Sequence, residues 1–269
     1  MANGRARGSS IRQKISGRER TFLALTAWMA FLALWESLSR SGVVNAKLLP
    51  PPSQVVETLV ELIVHRGFLV DVWKSVERIL KSYGIALAIA LPLGIVMGCF
   101  ARWEAFANAL VSPFRYLPAP SFVPLLLMWL GTGDEQKIAL LVLGVVWFLA
   151  TLFMDNTKQV PIELIEAAQT MGARARHVVT RVVLPSALPS YVDTARQMLA
   201  VSWTYLVIAE IVAATDGIGA MMMRAKRFVR VDEIMAGILV IGILGFCFDA
   251  LLRALHRRLF AYAHEANST

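Results

Sequence analysis

The side chains in this sequence that could do chemistry are charged or polar residues placed inside apolar segments. Arg196, Trp203 and Glu210 recur every seven residues in an apolar run over about residues 191–214. On a helix this spacing drifts by only about 20° per step, so the three side chains share one stripe. A charge that faces lipid costs several kcal/mol, and we therefore expect the stripe to face a water-lined pathway or a subunit contact. The alternative is that Arg196 extends to one membrane surface and Glu210 to the other.

A polar segment over residues 155–189 combines helix signals with small side chains. Pro161 suits the first position of a helix, and Gly172 suits the left-handed residue that ends one. A second short helix is predicted next, ended by Leu184 and Pro185. Small side chains allow another backbone to approach closely, so this element could dock into a groove on a soluble partner; an ordinary connecting loop is the alternative. The face that the first helix would present carries Leu164, Ala167, Ala168 and Met171.

Motifs for catalysis and cofactor binding are missing from the sequence. It contains no Gly-Lys dipeptide, hence no phosphate-cradling P-loop, and no Gly-x-Ser-x-Gly nucleophile elbow. Its two cysteines and four histidines show no metal-ligand spacing. These absences predict that the chain is not an enzyme and holds no cofactor or metal of its own.

Composition and hydropathy place the chain in a membrane. It is 57% hydrophobic and 17% charged, with a mean hydropathy of +0.59, whereas soluble domains carry about 25% charged residues. About six apolar runs are long enough to cross hydrocarbon, which predicts an all-α integral membrane protein with its helices in one bundle. Pro118 and Pro120 lie in one run and are candidates for the pathway, because a proline-distorted helix is tolerated where it lines a water-filled cavity. The runs cover about residues 22–38, 85–100, 106–130, 138–154, 191–214 and 234–252.

Three local patterns add detail to this bundle. Ser53 follows three consecutive prolines and is expected to cap a short amphipathic helix at the membrane interface. Gly94-x-x-x-Gly98 predicts the close approach of another helix. Asp249 precedes Arg253 by four residues, which predicts a structural ion pair.

The distribution of charge predicts the topology. The net charge is +8, but the basic residues flank apolar runs rather than interleaving with aromatics, so no nucleic-acid partner is expected. Both termini are basic, so both termini and segment 155–189 are expected in the cytoplasm. The expected organisation is a cytoplasmic tail over 1–20, a transmembrane domain over 21–260 and a C-terminal tail over 261–269. One basic cluster falls on the opposite side, against the rule. It could form an outer mouth for an anionic solute, meet an acidic protein face or contact lipid headgroups, and its members are Arg224, Lys226, Arg227 and Arg230.

Segment 166–185 resembles the EAA signature of binding-protein-dependent ABC importer permeases. The residues that carry the resemblance are Glu166-Ala167-Ala168, Gly172, Val182 and Leu184-Pro185, with valine where the family usually has isoleucine. Other stretches are similar to the nitrate, sulfonate and taurine subgroup: Leu48-Leu49-Pro50-Pro51-Pro52, Tyr116-Leu117-Pro118-x-Pro120, Trp129-Leu130-Gly131-Thr132-Gly133, and Ala209-Glu210 followed by Gly217-Ile218-Gly219.

This resemblance implies a type I ABC importer permease in the bacterial inner membrane. It implies a homodimer in the lipid bilayer, two ATPase subunits that bind ATP and Mg, and a periplasmic solute-binding protein. The solute would be a small anion, with sulfonates or taurine first and nitrate or bicarbonate next; a neutral cofactor precursor is an alternative. Another alternative is an ATP-independent secondary transporter or channel, whose best support would be inverted repeats that the sequence does not show. The residues that would dock into the ATPase are Glu166, Ala167, Ala168, Gly172, Leu184 and Pro185.

Overall fold

The computed structural model describes residues 15–45, 47–213 and 215–260, and these residues form helices without strands. The predicted all-α architecture is confirmed for them. A 3-10 turn over Ala119–Phe122 precedes α5, and a π-helical segment over Val179–Val183 joins α8 to α9. The α-helices in chain order are α1 (Gly17–Arg40), α2 (Pro52–His65), α3 (Phe68–Cys99), α4 (Ala101–Phe114), α5 (Val123–Leu130), α6 (Asp134–Lys158), α7 (Ile162–Thr170), α8 (Ala175–Val178), α9 (Leu184–Ala213), α10 (Ile218–Arg227) and α11 (Val231–Leu259).

Six helical segments run along the bundle, as predicted. Helices α1, α3, α6 and α11 are each long and apolar enough to cross a membrane. Helix α9, with 30 residues, is a fifth segment of comparable length. Helices α4 and α5 together form the sixth, because they connect the end of α3 to the start of α6 at the other end of the bundle.

Proline interrupts this sixth segment, so the distortion predicted for the apolar run over 106–130 is confirmed, and it takes the form of a break between α4 and α5. Pro118 and Pro120 stand on either side of Ala119 and have no N–H to donate, so the α-helical hydrogen bonds stop there. The N–H of Ser121 donates to the carbonyl of Pro118 at 2.9 Å and closes the 3-10 turn. Both prolines are exposed on the single chain, whereas Ala119 is buried.

The core lies where α3, α6 and α9 pack together, and glycine sets the closest approach. A Cβ placed on Gly94 would lie 2.5 Å from the Cβ of Phe153 and 2.7 Å from the carbonyl oxygen of Ala150. Gly98 meets Thr157 one turn further on. The predicted close approach at these two glycines is confirmed. Fully buried side chains of this core are Ile79, Ala86, Ala90, Leu140, Leu149, Leu206 and Ala209.

Helices α7 and α10 lie at opposite ends of the bundle, which are called here the α7 end and the α10 end. Helix α6 leads to α7, and α9 leads back from there to α10. Helix α2 lies at the α10 end, where Arg66 donates to Glu233 in the first turn of α11 at 2.8 Å. Helix α1 runs beside α11, since Leu32, Trp35 and Met235 line one apolar pocket. The start of α1 and the end of α11 are therefore both at the α7 end.

Two helix starts differ from the sequence prediction, and one ion pair agrees with it. Helix α2 begins at Pro52, which needs no capping partner because it lacks an N–H, so Ser53 lies inside the helix and does not cap it. Ser53 Oγ instead donates to the Glu36 carboxylate at 3.0 Å. Helix α1 begins at Gly17, inside the predicted tail, because Ser16 caps it; residues 1–14 and 261–269 lie outside the described part of the chain. The ion pair between Asp249 and Arg253 is confirmed.

Candidate functional site

Helix α7 presents an apolar surface that nothing in the described chain covers. Ile162 and Leu164 are 56% and 47% exposed, and Met171, just after the helix, is 82% exposed. Glu166 and Ala167 are also exposed, whereas Ala168 is 6% exposed and packs inward. The sequence placed Leu164, Ala167, Ala168 and Met171 on one face; the structure separates Ala168 from that face and turns it toward the bundle. The remaining surface is open to a partner.

The turn that ends α7 depends on the backbone conformation of Gly172. Its φ is +84°, in the left-handed region, as the sequence predicted. The N–H of Ala173 donates to the carbonyl of Ala168 at 3.0 Å, and the N–H of Gly172 donates to that of Gln169 at 2.8 Å. These two bonds form a Schellman motif, which satisfies the last carbonyls of the helix. A Cβ on Gly172 would meet no atom within 4 Å, so the glycine is required for its conformation and not for space.

The segment after this turn does not end at Leu184 and Pro185, contrary to the sequence prediction. Helix α8, the π-helical segment and α9 form one continuous helical path. The N–H of Leu184 donates to the carbonyl of Val179, five residues earlier, and this wider turn accommodates Pro185, which has no N–H. After the short turn at Gly172, the chain therefore continues without a break into the long helix α9. Val178 and Val183 are buried and hold the path against the bundle.

A cavity of about 700 Å³ separates α7 from the helix ends above it. It is lined by Cys99 at the end of α3, by Gln159 after α6 and by Ile165 and Gln169 on α7. Helix α7 is thus held at one side by the π-helical segment and is not packed solidly beneath α3 and α6. This arrangement leaves room for α7 to move relative to them.

The predicted stripe of Arg196, Trp203 and Glu210 makes contacts with other residues of the same chain. Arg196 donates to Asp193 at 2.7 Å and also pairs with Asp249 of α11. The Trp203 ring is 4% exposed and packs against an aromatic ring of α11. Glu210 is 1% exposed and is bound at the α10 end. The three residues face the interior of this chain; their assignment to a pathway stays a prediction.

Glu210 belongs to a buried charge cluster that the sequence reasoning missed. Arg78 of α3 donates to the Glu210 carboxylate at 2.8 Å and to Asp134 at 2.8 Å, and it also pairs with Asp216. Lys137, with a side chain 3% exposed, donates to Asp134 at 3.2 Å. Arg78 lies in the polar first half of α3, and a charged residue in such a stretch is expected to be exposed to solvent. Only the pairing of α3 with α9 shows that its guanidinium is buried.

The basic cluster at the α10 end is partly neutralised by acids from other helices. Arg224 donates to Asp71 of α3 at 2.6 Å, and Arg230 donates to Asp232 at 3.1 Å. The hydrogen bonds to Asp232 raise the pKa of Arg230 above its ordinary value. The other two members, Lys226 and Arg227, are exposed. The cluster is therefore a mixed-charge surface next to a pocket of about 480 Å³ between α2 and α10, and not a uniform positive patch.

Comparison with known proteins identifies relatives that align over most of the chain. Residues 90–261 match the family described as binding-protein-dependent transport system inner membrane component. The taurine transport system permease protein TauC of Escherichia coli is 34% identical over 90% of this chain and 90% of its own length. The bicarbonate transport system permease protein CmpB of Synechococcus elongatus is 26% identical over 91% of each chain.

The fold also has solved counterparts. A chain of the bacterial alginate ABC transporter, solved in complex with an alginate pentasaccharide-bound periplasmic protein, aligns with a TM-score of 0.57 and 16% identity. The alignment covers 90% of this chain and 96% of that one. At this identity the likeness concerns the fold alone.

Proposed function

The chain belongs to the family of inner membrane components of binding-protein-dependent transport systems, and we propose that it carries a sulfonate, with taurine the leading solute. It is the permease subunit of an ABC importer that moves a small anion inward, and the ATPase activity resides in a partner subunit. The observation that carries the solute assignment is the 34% identity to the taurine permease over 90% of the chain. Bicarbonate, which the second relative carries, or nitrate is the next candidate. A neutral cofactor precursor is the remaining alternative.

Helix α7 is the proposed contact with the ATPase. Its exposed apolar residues Ile162, Leu164 and Met171 form a surface suited to a groove, and exposed Ala167 lets another backbone approach. Glu166 adds a charge on the same exposed segment. Because α8, the π-helical segment and α9 are continuous, closure of the ATPases beneath α7 would be transmitted directly to a spanning helix. Leu184 and Pro185 act in this proposal within the transmitting helix, and Gly172 shapes the turn.

The proposed orientation places the α7 end in the cytoplasm. The start of α1 carries Arg18 and Arg20, and the end of α11 carries Arg253, Arg257 and Arg258. Basic residues at membrane-spanning helix ends favour the cytoplasmic side. Both termini would then be cytoplasmic, and the α10 end would face the periplasmic binding protein.

The proposed assembly contains two copies of this permease, two ATPase subunits and one binding protein. ATP and Mg would be held by the ATPase subunits, with no cofactor on the permease. Pro118, Pro120, Arg196, Trp203 and Glu210 remain the proposed contributors to the pathway between the two copies.

The test is copurification followed by uptake. The tagged permease would be coexpressed with its ATPase, purified in mild detergent and reconstituted with the binding protein in proteoliposomes. We expect ATP-dependent uptake of taurine by the wild type. Glu166→Lys and Gly172→Asp should lose the ATPase while still inserting into the membrane. Glu57→Lys makes the same charge change on an exposed residue at the α10 end and should keep the ATPase.

Two results would contradict the proposal. Uptake by the permease alone, without ATP, would favour a secondary transporter or channel. ATPase binding that is undiminished in both α7 variants would place the contact elsewhere on the chain.

A further inference from the structure

The start of α10 is capped by side chains that come from other helices. The N–H of Gly217 donates to Asp71 at 2.8 Å, that of Ile218 to Ser75 Oγ at 2.9 Å, and that of Gly219 to Glu210 at 2.8 Å. The first N–H groups of a helix have no partner within the helix, and a carboxylate placed there is favoured by the helix dipole. Helix α10 is thus held by α3 and α9 through the groups that would otherwise be unsatisfied.

Two glycines bring the backbone before α10 against Glu210. A Cβ on Gly219 would lie 2.6 Å from the Glu210 Cβ, and one on Gly217 would lie 2.7 Å from the Arg78 guanidinium. The φ of Gly217 is +103°, a conformation that side-chain-bearing residues rarely adopt. The Gly-x-Gly pattern and the glutamate before it therefore serve a single packed contact.

Arg78 connects this contact to a third helix. Its side chain is 3% exposed, and its donors reach Glu210, Asp134 at the start of α6, and both the carbonyl and the carboxylate of Asp216. Removal of this one guanidinium would leave Glu210, which is 1% exposed, without its charge partner. A buried carboxylate left in that state is strongly unfavourable.

The charge cluster around Arg78 is open to its surroundings at the α10 end, and the two exposed carboxylates there are called its rim. The side chains of Asp134 and Asp216 are 50% and 41% exposed, whereas Arg78 and Glu210 are enclosed. A protein that arrives at this end can compete for the rim carboxylates without first entering the bundle. The cluster is thus enclosed around Arg78 and Glu210 and accessible from one side.

We propose that Arg78 is a positioning residue and that Arg78, Asp134, Glu210 and Asp216 form a latch, the α10 latch, which holds α10 against α3, α6 and α9. While the latch is closed, the α10 end keeps the conformation described here and ATP turnover stays low. Engagement of the binding protein at the α10 end opens the latch and releases turnover. This inference rests on the proposed function, because it needs an ATPase whose rate depends on the α10 end.

The experiment measures ATPase activity of the reconstituted permease–ATPase assembly with and without the binding protein. Asp216→Asn removes a rim charge at a half-exposed position, where folding is least disturbed, and Glu210→Gln is the second variant. We expect each to raise ATPase activity without binding protein, on the order of fivefold or more, and to lower the uptake per ATP hydrolysed. Arg253→Gln removes an exposed ion pair at the α7 end and is the matched control, with no rise expected.

A second readout follows the position of α10. Ala220 is 2% exposed, so a cysteine placed there, in a background with Cys99 and Cys247 replaced by serine, should be protected from a membrane-impermeant maleimide. Labelling should become fast with Asp216→Asn and stay slow with Arg253→Gln. Unchanged ATPase activity and labelling in an Asp216→Asn assembly that still imports would overturn the latch alone. A wild-type assembly without ATP-driven uptake would instead overturn the proposed function.

Discussion

Replacement of Gly172 by alanine should weaken binding of the ATPase although alanine has room for its methyl group. The φ of Gly172 is +84°, and its added Cβ would touch nothing within 4 Å, so the whole cost is conformational. A non-glycine residue in the left-handed region costs roughly 1–2 kcal/mol. At a factor of ten for each 1.4 kcal/mol, this cost becomes an affinity loss of about 5- to 30-fold if the turn must form for docking.

The assay is a titration of the purified ATPase onto the detergent-solubilised permease, with affinity read from the bound fraction. Gly172→Asn is the first control, because asparagine tolerates the left-handed region better than alanine and should lose less affinity. Gly84→Ala is the second, since Gly84 lies in α3 with open space around it and an ordinary helical conformation. If the Gly172→Ala permease binds the ATPase with an affinity within about twofold of the wild type, the requirement for the left-handed turn is refuted.

Two further predictions concern packing and charge. Gly94→Leu should destabilise the bundle by about 1–3 kcal/mol or more, because its side chain would collide with Phe153. The thermal aggregation midpoint of the protein in detergent should therefore fall. Gly84→Leu on the same helix should leave this midpoint nearly unchanged. Combining Arg224→Gln, Arg227→Gln and Arg230→Gln should lower the affinity for the binding protein and make that affinity less dependent on salt concentration. An unchanged affinity would favour contact of these arginines with lipid headgroups.

Helix α7 and the α10 latch lie at opposite ends of the bundle, and helix α9 connects them. Helix α9 is continuous with the segment after α7, and Glu210 near its far end belongs to the α10 latch. A continuous helix that carries both contacts can convert a displacement at one end into a change at the other. The cavity of about 700 Å³ beside α7 provides space for such a displacement.

The sequence by itself determined the class of the protein and its local conformational requirements. Apolar runs of membrane length, the left-handed turn at Gly172 and the close approach at Gly94 were predicted correctly, because each depends on local chemistry or on the absence of a side chain. The ion pair between Asp249 and Arg253 was predictable for the same reason, since residues four apart on a helix are neighbours.

Tertiary structure decided which charges are buried and where helices end. Arg78 and Glu210 are 132 positions apart in the chain, and no local pattern indicates that they meet. The sequence predicts that a helix ends at Pro185, yet the wide π turn before this proline lets the helix continue. Both outcomes depend on neighbours supplied by packing: a partner of opposite charge from another helix stabilises a buried ion, and a bundle that holds both halves of a helix in line stabilises an irregular turn.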